Sequence, residues 1–438
     1  MSARGLVRVT PPRGALRGAV TVPGDKSIAH RALLLGALAE GTTVVTNLPG
    51  GGDVRSSLGA VQTLGAHARV EGTTVRLDGV GPGLAAAGRA AVDCGNSGTT
   101  MRLGAGLVAG GGAEVTFDGD ASLRRRPMER VAAPLRRMGA RVETTDGHAP
   151  MVVAGGALAG IDCTLAVASA QVKSAILLAG LRARGATRVR EPLPTRDHTE
   201  RLLAHLGATV RRHPDGAEVA GGARLRGGTV PLPGDASSAA FLVVAALAVP
   251  GSEVRIADVG LNPTRTGFLD VLRRMGAAVE VADRRDEAGE PRGTLVVRGG
   301  PLRATAIAPA EVPGTIDELP ILCVAAALAE GETTIAGAGE LRVKESDRIA
   351  AMEQLAALGV GVRASADGLA ITGRAGAPLA GARVASYGDH RIAMAFAVAG
   401  LAAPDGVEIA DAGAADVSFP GFWRALAALG ADVGGAGP

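Results

Sequence analysis

The sequence predicts an α/β protein of two domains, each built from three copies of one supersecondary unit. Three observations carry this. Six stretches read as helices that are apolar on every side and keep their polar residues at the N-terminal turn. Six Leu/Met-Gly-Ala-like stops, at Gly65, Gly139, Gly207, Gly276, Gly359 and Gly430, recur at intervals of roughly 70 residues. Finally, Val22-Pro23-Gly24-Asp25-Lys26-Ser27 is echoed by Leu232-Pro233-Gly234-Asp235-Ala236-Ser237.

The apolar helices come in order as Ser27–Ala39, Ser97–Ala109, Ser169–Leu181, Asp235–Val249, Asp317–Ala329 and Asp389–Ala402. Ser and Asp at their starts are capping residues, and Gly or Pro-Gly stops them. A β-branched strand follows each: Thr42–Val45, Ala113–Phe117, Ala186–Val189, Ser252–Ile256, Glu332–Ile335 and Val407–Ile409. Between successive pairs lies an amphipathic helix that ends at one of the glycine stops, where Gly supplies the left-handed C′ position. A unit is therefore strand, buried helix, strand, amphipathic helix, strand, with room for one more strand. Six units exceed a single core, so three plus three is the expected split. The two Pro-Gly-Asp segments mark the crossovers. One domain covers 23–236 and the other covers 1–22 plus 237–438.

Composition narrows the function. The chain has 438 residues, 47% of them hydrophobic, a formal charge of +3 and 65 glycines. That is a packed, tightly turned globular protein. No Lys/Arg run is long enough for a nucleic-acid tail, and one Trp, one Tyr and six Phe leave little to stack on bases. The N-terminus has no signal-like apolar core, and the longest apolar run, Ala239–Val249, is too short to span a bilayer. A soluble cytoplasmic protein with no nucleic-acid or membrane partner is expected. Cys94, Cys163 and Cys323 are too scattered for a disulfide framework or a zinc site and read as buried thiols. No metal-spaced histidines, Walker A loop or strand-led GxGxxG is present.

The uncommon polar residues fall at one structural place, the first turn of the buried helices. These are Lys26, Ser27 and Arg31; Asn96 to Thr100 with Arg102; Ser169, Ala170, Gln171 and Lys173; Asp317-Glu318; and Asp389-His390-Arg391. The fourth unit offers only Asp235-Ala236-Ser237-Ser238, which reads as plain capping. Helix N-termini favour anions, and Lys and Arg add full charges. Carboxylates in the same place point to proton chemistry beside bound anions, because an Asp in a positive field stays ionised. Three charged loops join the set: Leu123–Met128, Thr195–His198 and Arg342–Arg348. Arg124 and Arg125 read as solvated. A spacing of four places Lys344 and Arg348 on one helical face, where a surface ladder is the plainer reading.

In this order the motifs resemble the 5-enolpyruvylshikimate-3-phosphate synthase family. They are Pro23-Gly24-Asp25-Lys26-Ser27 with Arg31, Gly95–Thr99 with Arg102, and Arg126-Pro127-Met128. Then come Ser169-Ala170-Gln171-Val172-Lys173, Asn262-Pro263-Thr264-Arg265, Arg342–Arg348 and Asp389-His390-Arg391. The Ser-Ala-Gln-x-Lys and Asn-Pro-Thr-Arg forms are similar to the second class of these enzymes. The resemblance implies the enolpyruvyl transferase fold, an inside-out α/β barrel with three βαβαββ units per domain and the active site in the cleft between them. It implies transfer of an enolpyruvyl group from phosphoenolpyruvate to shikimate 3-phosphate, without metal or organic cofactor, by a monomer that is a glyphosate target.

It also implies roles. Ser27 and Arg31 would hold the shikimate ring and carboxylate. Ser169, Ala170, Gln171, Lys344 and Arg196 would hold its phosphate and hydroxyls. Arg348 and Arg391 would grip the carboxylate of phosphoenolpyruvate, and Lys26, Gly98, Arg126 and Gln171 would surround its phosphate. Asp317 would be the base on the 5-hydroxyl, with Glu345 and Lys26 carrying protons to and from the methylene carbon. Two departures stand out. The family often has a Lys before its final Thr/Ser-Phe-Pro, where this chain reads Ala415-Asp416-Val417-Ser418-Phe419-Pro420. At Gly98 some family members carry an Ala that crowds out glyphosate, so this chain is expected to have room for it. The sister transferase acting on UDP-N-acetylglucosamine is the nearest rival. It typically has Lys-Asn at the position of Lys26-Ser27 and a reactive Cys in the loop that here reads Gly119–Arg126, which has none. A binding-only relative is the other alternative, and Lys26, Asp317, Glu345, Arg348 and Arg391 speak against it.

Overall fold

A computed structural model describes residues 5–85 and 87–435. The chain folds into two compact units. Unit 1 comprises Met1–Pro23, Pro233–Arg285 and Pro291–Pro438, and unit 2 comprises Gly24–Leu232 with Asp286–Glu290. Each has its own hydrophobic core.

Among the described residues, six four-stranded sheets account for the strands. The second repeat shows the plan. Arg89–Asp93 pairs parallel with Glu114–Asp118, which pairs antiparallel with His148–Ala154, which pairs antiparallel with Arg141–Thr145. The parallel pair needs a crossover, and the buried helix Gly98–Val108 supplies it. Two sheets take their first strand from a distant part of the chain. Arg17–Thr21 precedes the helix Lys26–Leu38 but pairs with Glu253–Gly260 of the fourth repeat. Thr229–Pro231 precedes the helix Ala236–Ala248 but pairs with Glu40–Thr46 of the first. The N-terminal strand Val7–Thr10 completes the sixth sheet, between Val407–Ala410 and Asp432–Gly434.

The buried helices are Lys26–Leu38, Gly98–Val108, Ala170–Gly180, Ala236–Ala248, Leu319–Leu328 and His390–Gly400. Five carry a side-chain cap: Asp25, Ser97, Ser169, Asp235 and Asp389 each accept from backbone N–H groups of the first turn. Their packing is tight enough to fix where the N-termini lie. A Cβ built on Gly106 would come within 2.1 Å of the Ala175 carbonyl, so the Gly98 and Ala170 helices touch backbone to backbone there. Any larger residue would part them and separate the polar groups at their ends.

The fifth repeat departs from expectation. Gly339–Val343 and Glu353–Leu358 are 3-10 turns flanking a short helix, Arg348–Met352, and Lys344 is extended with φ −83° and ψ −155°. Lys344 and Arg348 therefore do not share a helical face. Asp347 caps the short helix by accepting from the Ala350 amide, which starts it after Lys344. The fourth repeat is more than capped: Asp235 also pairs with Arg265 at 2.8 Å, and Ser237 donates to Glu318. All three cysteines are buried and unbridged. Among the described residues no helix is long and apolar enough to cross a membrane.

Candidate active site

In unit 2 the polar first turns of three buried helices come together. Lys26 Nζ lies 3.0 Å from Asp53 Oδ2 at the start of the helix Gly52–Thr63. Arg31 is one helical turn beyond Ser27 and almost fully buried. Its Nη1 donates to the Ser27 carbonyl at 2.8 Å, its Nε to Thr199 Oγ1 at 2.7 Å and its Nη2 to Ser174 Oγ at 3.0 Å. Burial pulls this guanidinium down to about 10, against the attraction of Glu200. Arg196 Nη1 reaches to 3.4 Å from Ser27 Oγ, bringing the Thr195–His198 segment to the same place.

The second and third helices are tied by their polar ends. Arg102 Nη1 donates to Gln171 Oε1 at 2.5 Å and Nη2 to the Pro127 carbonyl at 3.2 Å. Gln171 Nε2 in turn donates to Thr99 Oγ1 at 3.0 Å. Ser169 caps its helix, whose first residue is Ala170, by accepting from the Val172 amide, which leaves its hydroxyl proton to donate elsewhere. Arg126 is buried and donates to Asn96 Oδ1 at 2.5 Å, whereas Arg124 and Arg125 are exposed and Arg124 pairs with Asp118. Gly98 opens its helix beneath two cations. A Cβ there would stand 3.1 Å from Arg102 Nη1 and 3.5 Å from Arg126 Nη1.

Unit 1 gathers the carboxylates. Arg348 is 1% exposed and is surrounded by three of them. Nε lies 2.8 Å from Asp389 Oδ2, Nη2 lies 2.7 Å from Glu345 Oε2, and Nη1 lies 3.6 Å from Asp317 Oδ1. Arg391 Nη2 is 3.5 Å from Asp317 Oδ2, so two guanidinium groups flank that carboxylate. Burial works against the charge of Arg348, but Asp389, Glu345 and Asp317 together hold its pKa above the usual value. Burial likewise opposes ionisation of Asp389, and Arg348 outweighs it, leaving that carboxyl below its ordinary range. Asp317 sits in the turn between Val312–Thr315 and Leu319–Leu328, outside the helix expected to begin with it. Arg348 Nη1 and Arg391 Nη1 are buried and lack a hydrogen-bond partner. Lys344 and Glu345 are half-buried in the same segment.

Each expected residue thus falls into one of two groups. Lys26, Ser27, Arg31, Gly98, Arg126, Ser169, Ala170, Gln171 and Arg196 lie in unit 2. Asp317, Lys344, Glu345, Arg348 and Arg391 lie in unit 1. Asp53, which pairs with Lys26, emerges only with the structure, as do the anchoring of Arg348 by Asp389 and the bond from Arg102 to Gln171. Asp53 follows a Gly-rich turn and carried no local signal beyond a first-turn acid. Among the described residues no group of three or more His, Cys, Asp and Glu could hold a metal ion.

The family model for EPSP synthase (3-phosphoshikimate 1-carboxyvinyltransferase) matches residues 10–426. A 3-phosphoshikimate 1-carboxyvinyltransferase of Halorhodospira halophila is 54% identical over 98% of this chain and 97% of its own. That of Desulforudis audaxviator is 51% identical over 97% and 99%. Among solved structures, EPSP synthase from Acinetobacter baumannii superposes with a TM-score of 0.88 at 42% identity, covering 99% of this chain and all of that one. The enolpyruvyl transferase NikO from Streptomyces tendae, 20% identical with a TM-score of 0.79 over the whole of both chains, shares the fold. With a family match spanning nearly its full length and half its residues shared with such relatives, the chain belongs to the EPSP synthase family.

Proposed function

We infer that this chain transfers the enolpyruvyl group of phosphoenolpyruvate to the 5-hydroxyl of shikimate 3-phosphate, giving 5-enolpyruvylshikimate 3-phosphate and phosphate. The hydroxyl oxygen adds to C2 of phosphoenolpyruvate while a proton joins the methylene carbon. The tetrahedral ketal phosphate then loses phosphate and a methyl proton to leave the enol ether. Asp317 takes the hydroxyl proton, and Glu345 with Lys26 carries protons to and from the methylene carbon. Arg348 and Arg391 hold the phosphoenolpyruvate carboxylate, and Lys26, Gly98, Arg126 and Gln171 its phosphate. Ser27, Arg31, Ser169, Ala170, Gln171, Arg196, Asp317 and Lys344 hold shikimate 3-phosphate.

The observation that carries this reading is that Arg348 and Arg391 flank the carboxylate of Asp317 and that each keeps a buried Nη1 without a hydrogen-bond partner. A buried N–H left unmade is costly, so a ligand oxygen there is strongly favoured, and guanidinium suits a carboxylate. Two polyanions must also be brought together, and cations at the site offset their repulsion. The same reading makes the protein a cytoplasmic monomer and a target of glyphosate.

The test is phosphate release from phosphoenolpyruvate with shikimate 3-phosphate, with UDP-N-acetylglucosamine as the parallel acceptor. Release with shikimate 3-phosphate alone is expected. Release with the nucleotide sugar alone would overturn the substrate assignment. Binding of shikimate 3-phosphate without release in either case would overturn the catalytic one.

A further inference from the structure

Lys173 stands two residues beyond Gln171 in the helix Ala170–Gly180, and no role above uses it. Its ammonium is 2% exposed and lies 2.8 Å from Glu191 Oε2 and 2.8 Å from Glu200 Oε1, whose side chains are 4% and 3% exposed. The Thr195 carbonyl is 3.4 Å away, and Thr195 Oγ1 donates to the other oxygen of Glu191. One buried cation therefore holds the beginning, the middle and the end of the segment 191–200. Three nearly dry charges are a poor device for stability alone, since a packed apolar side chain often does as well. What they give is a fixed geometry.

That segment delivers two groups to the candidate site. Arg196, directly after Thr195, brings Nη1 to 3.4 Å from Ser27 Oγ. Thr199, directly before Glu200, accepts from Arg31 Nε at 2.7 Å and sits 2.7 Å from Ser174 Oγ, one residue past Lys173. Glu200 also acts on Arg31 through space, favouring its charged form. Without the ammonium, Glu191 and Glu200 would be two buried like charges, and the segment would have to move to hydrate one of them.

We propose that Lys173 is a positioning residue for shikimate 3-phosphate: by clamping Glu191, Thr195 and Glu200 it sets Arg196 and Arg31 in place before the substrate arrives. Ordering done in advance lowers the cost of binding. The proposal rests on the reading that Arg196 and Arg31 contact shikimate 3-phosphate, so the variants separate the two.

Affinity for shikimate 3-phosphate is measured by calorimetry, alongside kcat, both KM values and melting. Lys173→Met is expected to weaken shikimate 3-phosphate about tenfold or more, with KM for phosphoenolpyruvate and kcat at saturation within about threefold. Glu191→Gln keeps the shape of the cluster and leaves one cation facing one carboxylate, so it carries the test if Lys173→Met does not fold. It is expected to weaken shikimate 3-phosphate about threefold or more with melting unchanged. On an Arg196→Ala background the effect of Lys173→Met should shrink by at least about threefold, because its main route is gone. Arg196→Ala and Arg31→Ala that bind normally would refute the site reading. If both bind weakly while Lys173→Met and Glu191→Gln bind normally, or if the double variant is fully additive, the clamp is refuted.

Discussion

Replacing Arg348 by lysine keeps the charge and removes the fork. The guanidinium reaches Asp389 with Nε at 2.8 Å and Glu345 with Nη2 at 2.7 Å, and places Nη1 3.6 Å from Asp317. A lysine ammonium is a single point on a flexible stem and cannot span these positions. Two charged hydrogen bonds are lost at about 1.5–3 kcal/mol each, or about 3–6 kcal/mol altogether. Asp389 is wholly buried and feels the loss in the folded state, whereas Glu345 and Asp317 feel it at the groups proposed above to move protons. An even division assigns about 1.5–3 kcal/mol to folding, a melting temperature lower by about 3–12 °C at about 2–4 °C per kcal/mol. The other half lowers kcat/KM for phosphoenolpyruvate by about 10- to 150-fold. KM for shikimate 3-phosphate should move by less than about threefold, since Arg348 is assigned to the other substrate. Calorimetric melting and steady-state kinetics with each substrate varied in turn make the assay. An Arg348→Lys enzyme with unchanged melting and unchanged kcat/KM for phosphoenolpyruvate would refute the reasoning.

Asp317→Asn and Glu345→Gln should each lower kcat by about 10²- to 10⁴-fold, the usual worth of a positioned acid or base, while circular dichroism and melting stay near wild type. Near-normal turnover in either variant removes that residue from the mechanism. At Gly98 an added methyl meets only the ends of two flexible arginines, so Gly98→Ala should fold. It should raise the glyphosate concentration for half-inhibition by about tenfold or more, and KM for phosphoenolpyruvate by less, as a steric filter does. Wild-type inhibition only at millimolar glyphosate, with phosphoenolpyruvate near its KM, would count against that room. Burial pulls His30 down to about 3. Between that value and the unfolded value of about 6.5 the unfolded chain binds the extra proton, so stability is full above pH 6.5 and falls as pH drops, by about 2 kcal/mol between pH 7 and 5. Urea unfolding at pH 7, 6 and 5 should show a shallower pH dependence in His30→Gln, and identical slopes would exclude His30 as the cause.

The repeat was legible because its signals are local. All six stop glycines adopt positive φ, from +78° at Gly359 to +110° at Gly139, a conformation that a side chain resists. Caps and apolar runs lie within one turn of each other, so Ser97, Ser169, Asp235 and Asp389 could be read directly, while the first helix is capped by Asp25, two residues before Ser27. The motif residues were picked out through the resemblance, by their order along the chain. Partners distant in sequence were not. Arg348 and Asp389 are 41 positions apart, Lys26 and Asp53 are 27 apart, and Arg102 and Gln171 are 69 apart. Only the packing of buried helices brings them together. Periodicity misled at Lys344, because spacing counts only within a helix, and the Asp347 cap starts that helix after Lys344.

The exchanged strands bear on how a ribosome makes this chain. Val7–Thr10 finds its partners only when Val407–Ala410 and Asp432–Gly434 emerge, roughly 400 residues later. At about 5–20 residues per second that is a wait of about 20–80 s. Arg17–Thr21 waits a shorter time for Glu253–Gly260. Thr229–Pro231, by contrast, closes the sheet of Glu40–Thr46 as soon as it is synthesised. Translation therefore completes the middle of the polypeptide first and leaves its beginning as two open strand edges.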